Sequence, residues 1–193
     1  MTIVNVGYRS TNFWVVSAGQ SRLLIDLGWS GTLGTFKANC ERMDVPLSEI
    51  RYGVATHFHP DHAGLAQDLK SFGVRLLVAD LQVAAIPQLG QWMKPPDRFT
   101  PIVLDDNVVV SVDDSRAVLG SIGIHGRLVH TPGHSDDSVS VLLDDGSVFT
   151  GDLGTPEIAE SSGNEIAMAS WRKLRQLGAT TMYPGHGPVQ SVA

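Results

Sequence analysis

Thr56-His57-Phe58-His59-Pro60-Asp61-His62 packs three imidazoles and a carboxylate into the six positions from 57 to 62. A strand-like run, Arg51 to Ala55, leads into it. Leu65, Ala66, Leu69 and Phe72 follow at the spacing of one helix face. The cluster therefore falls on a strand-to-helix turn, where Pro60 keeps Phe58 and His59 out of the helix. On such a turn His57 and His59 point the same way, while Asp61 and His62 are carried round to a second position nearby. A lone histidine is ordinarily a solvated or packed side chain. Four ligand-type groups at one strand end are another matter, because mutually desolvating groups crowd together only where a cation offsets the cost. The turn is predicted to furnish ligands for two metals.

Working outward, short strands are expected at Ile3 to Val6, Phe13 to Ser17 and Leu23 to Asp26, the last two joined by a turn at Ala18-Gly19-Gln20. Asp26 closes an apolar strand, as either a turn-former or a partner that orients a ligand. A helix over Leu33 to Met43 follows. Beyond the histidine turn its helix stops at Gly73, Val74 to Ala79 reads as a strand, and Asp80 caps a short helix to about Ile86. Strand, helix, strand implies a crossover and an α/β arrangement. From Pro87 to Pro101 the pattern dissolves around four prolines, and the segment is expected to wall the site as a substrate lid. The second half is β-rich. Val108 to Val112, Gly120 to His125 and Arg127 to His130 read as strands, and Ser138 to Leu143 with Ser147 to Thr150 as a hairpin about Asp144-Asp145-Gly146. A helix over Glu165 to Leu177 carries Ala167, Trp171, Leu174 and Leu177 on one face, and a strand, Thr181 to Tyr183, runs into Pro184-Gly185-His186-Gly187.

Three further ligand-type residues sit just past apolar strand ends: His134 in T-P-G-H-S, Asp152 in F-T-G-D-L and His186 in Y-P-G-H-G. Sites in α/β sheets form beyond the carboxyl ends of strands, so these loops are expected to converge with the histidine turn on one edge. His125 reads as a turn residue, and His130 as a packing or supporting residue.

Composition bounds the function. The chain has 193 residues, 42% hydrophobic and 18% charged, as expected of one globular domain covering 1–193. The net charge of −6, with only 14 lysines and arginines, weighs against nucleic acid as a partner. No apolar run is long enough for a membrane span, and the first residues lack the marks of a secretory signal. Cys40 is the only cysteine, which excludes an intrachain disulfide and a thiolate cluster and fits a reducing cytoplasm.

With H-x-H-x-D-H at 57 to 62 followed in order by His134, Asp152 and His186, the chain resembles the metallo-β-lactamase superfamily, and within it the dinuclear, glyoxalase II-like hydrolases. The resemblance implies an αββα sandwich of two mixed sheets flanked by helices. It implies one metal on His57, His59 and His134, a second on Asp61, His62 and His186, and Asp152 bridging both. Two divalent ions are expected, zinc first and iron or manganese as alternatives, since the set offers imidazole and carboxylate without thiolate. The chemistry implied is hydrolysis of a small ester, lactone or thioester by a metal-bound hydroxide, with Asp61 either a ligand only or also a proton shuttle.

Departures from relatives narrow the reading. True β-lactamases of this fold place Cys or Ser where Asp152 stands. Flavo-diiron oxygen reductases carry Glu at the position of His59. Glyoxalase II has an added helical domain, and this chain ends seven residues after His186, so glutathione specificity is not expected. A persulfide dioxygenase, with one iron on His57, His134 and Asp152, is the runner-up. A phosphodiesterase and a non-catalytic metal-stabilised module rank lower. Trp29, Phe58, Trp92, Met93, Phe99 and Leu153 are the candidate walls of a small-molecule pocket, being next to the ligand loops or within the irregular segment.

Overall fold

The computed structural model describes residues 1–94 and 98–192. Six strands form the first sheet: β1 (Thr2–Asn5), β2 (Trp14–Ala18), β3 (Ser21–Ile25), β4 (Ile50–Val54), β5 (Arg75–Ala79) and β6 (Val108–Val110), in that spatial order. β1 to β3 run antiparallel, while β3 to β6 run parallel through crossovers. The second sheet is built from β7 (Gly126–His130), β8 (Val139–Leu143), β9 (Ser147–Gly151), β10 (Thr181–Pro184) and β11 (Gln190–Ser191), ordered β11-β10-β9-β8-β7.

Strand periodicity sorts the side chains into three apolar layers. Trp14, Val16, Leu23, Ile25 and Val54 of the first sheet meet Leu128, Val139, Val141, Leu143 and Phe149 of the second between the sheets. The alternate residues, Val15 and Leu24, face outward under Phe36 and Cys40 of α1 (Leu33–Arg42) and under Leu65, Ala66 and Leu69. Ala66 and Leu69 belong to α3 (Ala66–Lys70), which Leu65 precedes and which follows the short helix α2 (Pro60–Ala63). On the far side Val129, Leu142, Val148 and Met182 lie under Trp171 and Leu174. The order helix, sheet, sheet, helix is the expected αββα sandwich. Covering both faces of each sheet explains why β8 and β9 are buried along their whole length.

Several expectations need correction. Gly120 to His125 is not a strand: α4 (Ser115–Ser121) occupies its start, and a turn with Gly123 at φ 78° completes it. Ile122 and Ile124 alternate like strand residues, but Leu119 is fully buried from the helix side, and Ser115 Oγ accepts the Leu128 amide at 2.9 Å. The helix after the histidine turn is broken between α2 and α3, and Phe72 lies on the surface against the Lys37 ammonium, not on the buried face. Leu177 likewise falls past α6 (Glu165–Gln176) and is exposed. Within Pro87 to Pro101, Ile86–Trp92 is a 3-10 helix and 98–101 has no regular structure; positions 95–97 of the expected lid lie outside the described residues. A helix that periodicity did not reveal, α5 (Pro156–Ser161), starts at Thr155, whose hydroxyl accepts the Ile158 amide.

Candidate metal centre

Four loops at one edge of the sandwich carry the candidate ligands. β4 delivers residues 57–62; β7, β9 and β10 deliver His134, Asp152 and His186. Backbone hydrogen bonds hold the loops in register across the sheets. Val139 N donates to Thr56 O at 2.8 Å, Gly185 N to Gly151 O at 2.7 Å, and Asn12 N to Gly185 O at 2.7 Å. Gly151 sits at φ 55°, and a Cβ there would lie 2.2 Å from Thr56 Oγ1, so only glycine lets the strand end pass the histidine turn.

The seven side chains converge in two overlapping groups. His59 Nδ1 lies 3.0 Å from His57 Nε2 and 3.1 Å from His134 Nε2. Asp61 Oδ2 lies 3.3 Å from His62 Nε2 and 3.2 Å from His186 Nε2. Asp152 stands between them. Its Oδ2 faces the first group, 3.9 Å from His57 Nε2 and 3.6 Å from His134 Nε2, while its Oδ1 faces the second, 3.1 Å from His62 Nε2 and 3.3 Å from His186 Nε2.

Polar contacts on the outer side of three rings, hydrogen bonds at His57 and His186 and an ion-pair contact at His62, set which nitrogen points inward. His57 Nδ1 lies 3.2 Å from Thr56 Oγ1, His186 Nδ1 donates to Ser10 O at 2.6 Å, and His62 Nδ1 sits 2.8 Å from Asp26 Oδ2. In the neutral ring each arrangement places the proton on Nδ1 and leaves the Nε2 lone pair toward the centre. Asp26 fulfils both roles its position suggested. It turns the chain at φ 64°, and its Oδ1 accepts the amide and hydroxyl of Thr56 while Oδ2 holds His62.

Charge follows this layout. Burial, reinforced by the surrounding imidazoles, pushes His57 well below its ordinary value. Burial acts the same way on His62, but the carboxylates of Asp26, Asp152 and Asp61 outweigh it and hold that ring well above. Burial lowers His134, against the pull of Asp152. Asp61 is driven up by burial yet ends at about 2, because His62 and the Thr11 hydroxyl favour its ionised form.

A divalent cation fits this donor set. The His57 and His134 ring nitrogens lie 3.0 and 3.1 Å from His59 Nδ1, and with all three lone pairs turned inward they would repel unless something positive lay between them. His62 Nε2 and Asp152 Oδ1 are shut off from solvent and neither has an aligned hydrogen bond. Ligand atoms on a tetrahedral zinc at about 2.0 to 2.1 Å stand roughly 3.3 Å apart, which matches the separations here. Among the described residues, three sets have candidate ligand atoms all within 4.8 Å of one another: His57, His59 and His134; His57, His62 and Asp152; Asp61, His62 and His186.

Sequence reasoning did not find the residues that brace the site. Gln82, fully buried, sends its amide to Ala55 O, Thr56 O and Asp137 O at 3.1 to 3.2 Å, and Asp137 Oδ2 accepts the Phe58 amide at 2.9 Å. Nothing local in the sequence marks either residue. Of the candidate pocket walls, Phe58 and Trp92 line a cavity beside His59, and Leu153 lines another beside Asp152. Trp29, Met93 and Phe99 pack against the outer core, with Arg9 lying over the Trp29 ring. His130 Nε2 donates to Asp136 O, in keeping with a supporting place, while the His125 carbonyl accepts the Asp144 amide.

Comparison with known proteins agrees with this geometry. The family model for the metallo-beta-lactamase superfamily matches residues 6–186. Among curated relatives, lactamase-like protein nscB of Aspergillus fumigatus is 33% identical, covering 94% of this chain and 49% of that protein. Atrochrysone carboxyl ACP thioesterase AacuM of Aspergillus aculeatus is 31% identical, covering 94% and 52%. The chain thus spans about half the length of the curated relatives it matches. Among solved structures, a metallo-beta-lactamase from Cronobacter sakazakii superimposes with a TM-score of 0.72 at 22% identity, covering 96% of this chain and 77% of that one, a likeness of fold. Sheet order, ligand edge and the family match over nearly the whole chain lead to one assignment: the chain belongs to the metallo-beta-lactamase superfamily.

Proposed function

We propose that this chain is a metal-dependent hydrolase of a small thioester, with esters and lactones as neighbouring substrates. The observation that carries the reading is Asp152, whose two oxygens face two separate ligand groups. His57, His59 and His134 would hold one divalent ion and Asp61, His62 and His186 the other, with zinc the first choice for a nitrogen and oxygen set. When bound, such ions lower the pKa of water towards about 7 and draw electron density from a carbonyl. The chain's own residues do the rest. Thr56, Ser10 and Asp26 hold three rings in the tautomer that points Nε2 inward. Asp61, held ionised far below neutral pH, suits a ligand better than a proton shuttle. Water adds to the carbonyl carbon, the carbon–sulfur bond breaks, and acid and thiol depart.

Thioesters come first because relatives of about 31% identity are named as ACP thioesterases. Asp152 in place of Cys or Ser argues against a β-lactamase. We further propose that residues 1–193 act as one domain on a small molecule in the cytoplasm, without nucleic acid. Among the described residues no helix is long and apolar enough to cross a membrane. The test is metal content of protein purified without added metal, followed by a panel of thioesters, lactones and phosphodiesters. Two ions per chain with thioester turnover is the expected result. One iron per chain with oxygen consumption on a persulfide would replace this reading with the dioxygenase.

A further inference from the structure

Two cavities of nearly equal size flank the ligand cluster and differ in chemistry. The one beside His59, about 300 Å³, combines apolar surface from Phe58, Trp92 and the Leu81 to Ala85 stretch with the polar Gln88, Ser135, Asp136 and Asp137. Its polar groups are hydrogen-bond acceptors and an amide, and Trp92 stands over His59 with ring centroids 5.6 Å apart. The other, about 290 Å³, opens from His134, Asp152 and His186 and is walled mainly by Leu153, Ile158, Met182 and Pro184, with Thr155 and Gln190 adding polar groups. Leu153 and Met182 are buried in its floor, whereas Ile158, on the exposed side of α5, is 58% exposed. The α5 face that packs inward is that of Ala159, so core packing does not account for Ile158. A Cβ on Gly154 would come within 3.1 Å of Ile158 Cγ2, so the glycine sets how close this side chain lies to the groove.

Resting on the hydrolase reading above, we infer that the substrate lies across the centre in one direction, with a short apolar acyl chain in the Leu153, Ile158 and Met182 groove and the thiol arm over the Trp92 and Asp136 side. An acyl chain offers only apolar surface, and it gains from the groove whose walls are the more apolar of the two. A thiol arm bearing amide N–H groups finds acceptors in Ser135, Asp136 and Gln88. The size of the groove, at the lower limit of small-molecule pockets, selects a short acyl group. Ile158 is then a specificity-determining residue at the acyl end.

The experiment uses the metal-loaded protein with acetyl, butanoyl and hexanoyl thioesters of N-acetylcysteamine, and calorimetry of acetate and hexanoate as products. Each fully buried methylene is worth about fourfold in binding. The half-open groove should therefore make kcat/KM for hexanoyl at least about tenfold that for acetyl, mainly through KM. In Ile158→Asp this ratio should fall about tenfold, with Ile158→Ala in between, and the preference for hexanoate over acetate should fall in parallel; circular dichroism checks that the variants fold. A ratio unchanged in both Ile158 variants, or lost instead in Trp92→Ala, overturns the placement while leaving the hydrolase standing. Absence of thioester turnover in the parent overturns the hydrolase reading. The calorimetric ratio then decides the groove alone: equal binding of the two acids rejects it, and an Ile158-dependent preference for hexanoate upholds it.

Discussion

Asp152 is the side chain that stands between the two candidate ligand groups, one oxygen toward each. On the proposed two-metal reading, replacing it by alanine would remove a carboxylate oxygen from the side of each group and leave two nearby dications without an anion between them. Repulsion then favours losing one. For Asp152→Ala the expected outcome is a folded protein with close to one ion per chain and turnover lower by roughly 10² to 10⁴, the scale for losing a preorganised electrostatic group. Metal analysis, circular dichroism and thioester hydrolysis in parallel check it; two ions with near-parental turnover would remove the bridging role. At this scale the sequence was highly legible. The seven converging side chains announce themselves because they are residue types that metal chemistry would demand, and four of the seven are crowded into one turn. Their supports are quieter. Thr56 and Asp26 are near in sequence to the turn or to a strand end, but Ser10 reaches His186 across 176 positions with a backbone carbonyl, which no residue type could disclose.

Elements were less legible, and the misreadings have one cause. Ile122 and Ile124 mimic a strand, and Phe72 and Leu177 mimic continuation of a helix face, because periodicity registers apolar spacing and not which neighbour buries it. The 3-10 turn that begins at Asp80 shows what tertiary contact adds. It places Gln82 where its amide joins the end of β4 to the loop before β8, tying the histidine turn to the His134 loop. Gln82→Leu keeps the volume but removes two N–H donors from a site closed to water. Leaving buried carbonyls short of donors costs about 1 to 3 kcal/mol each, so a loss of about 2 to 4 kcal/mol in stability is expected. Chemical denaturation of the metal-free variant and parent measures it, and a loss under about 1 kcal/mol would deny Gln82 this role.

For the molecule as a whole, the buried imidazoles set a pH dependence that appears when metal is stripped away. His62 is raised above the unfolded value of 6.5, so its contribution is complete below that value and is lost as pH rises through the folded one. His57 and His134 are lowered, so theirs is present above 6.5 and is lost as pH falls below it. The two trends meet. Chelator-treated protein should show its highest Tm near pH 6.5, and a Tm that climbs steadily to about pH 9 would mean that His62 is not charged. Metal should flatten the alkaline side, since ligation requires the neutral rings and competes with protons. The αββα layering itself was legible at this scale through the family resemblance and the order of elements, as were the β2–β3 and β8–β9 hairpins, whereas the other strand pairings were not, because register lies in contacts between distant segments.

Each ligand group draws on both sheets: His57 and His59 come from the first and His134 from the second, as Asp61 and His62 come from the first and His186 from the second. Parting the sheets therefore means pulling ligands off an ion, a step that core packing does not govern. The lifetime of the loaded protein then follows the rate at which the ion lets go, and two chains of equal equilibrium stability would survive heat or protease for very different times according to which metal they hold. Exchange-inert ions would make the edge a slow latch, and labile ones would leave it swinging.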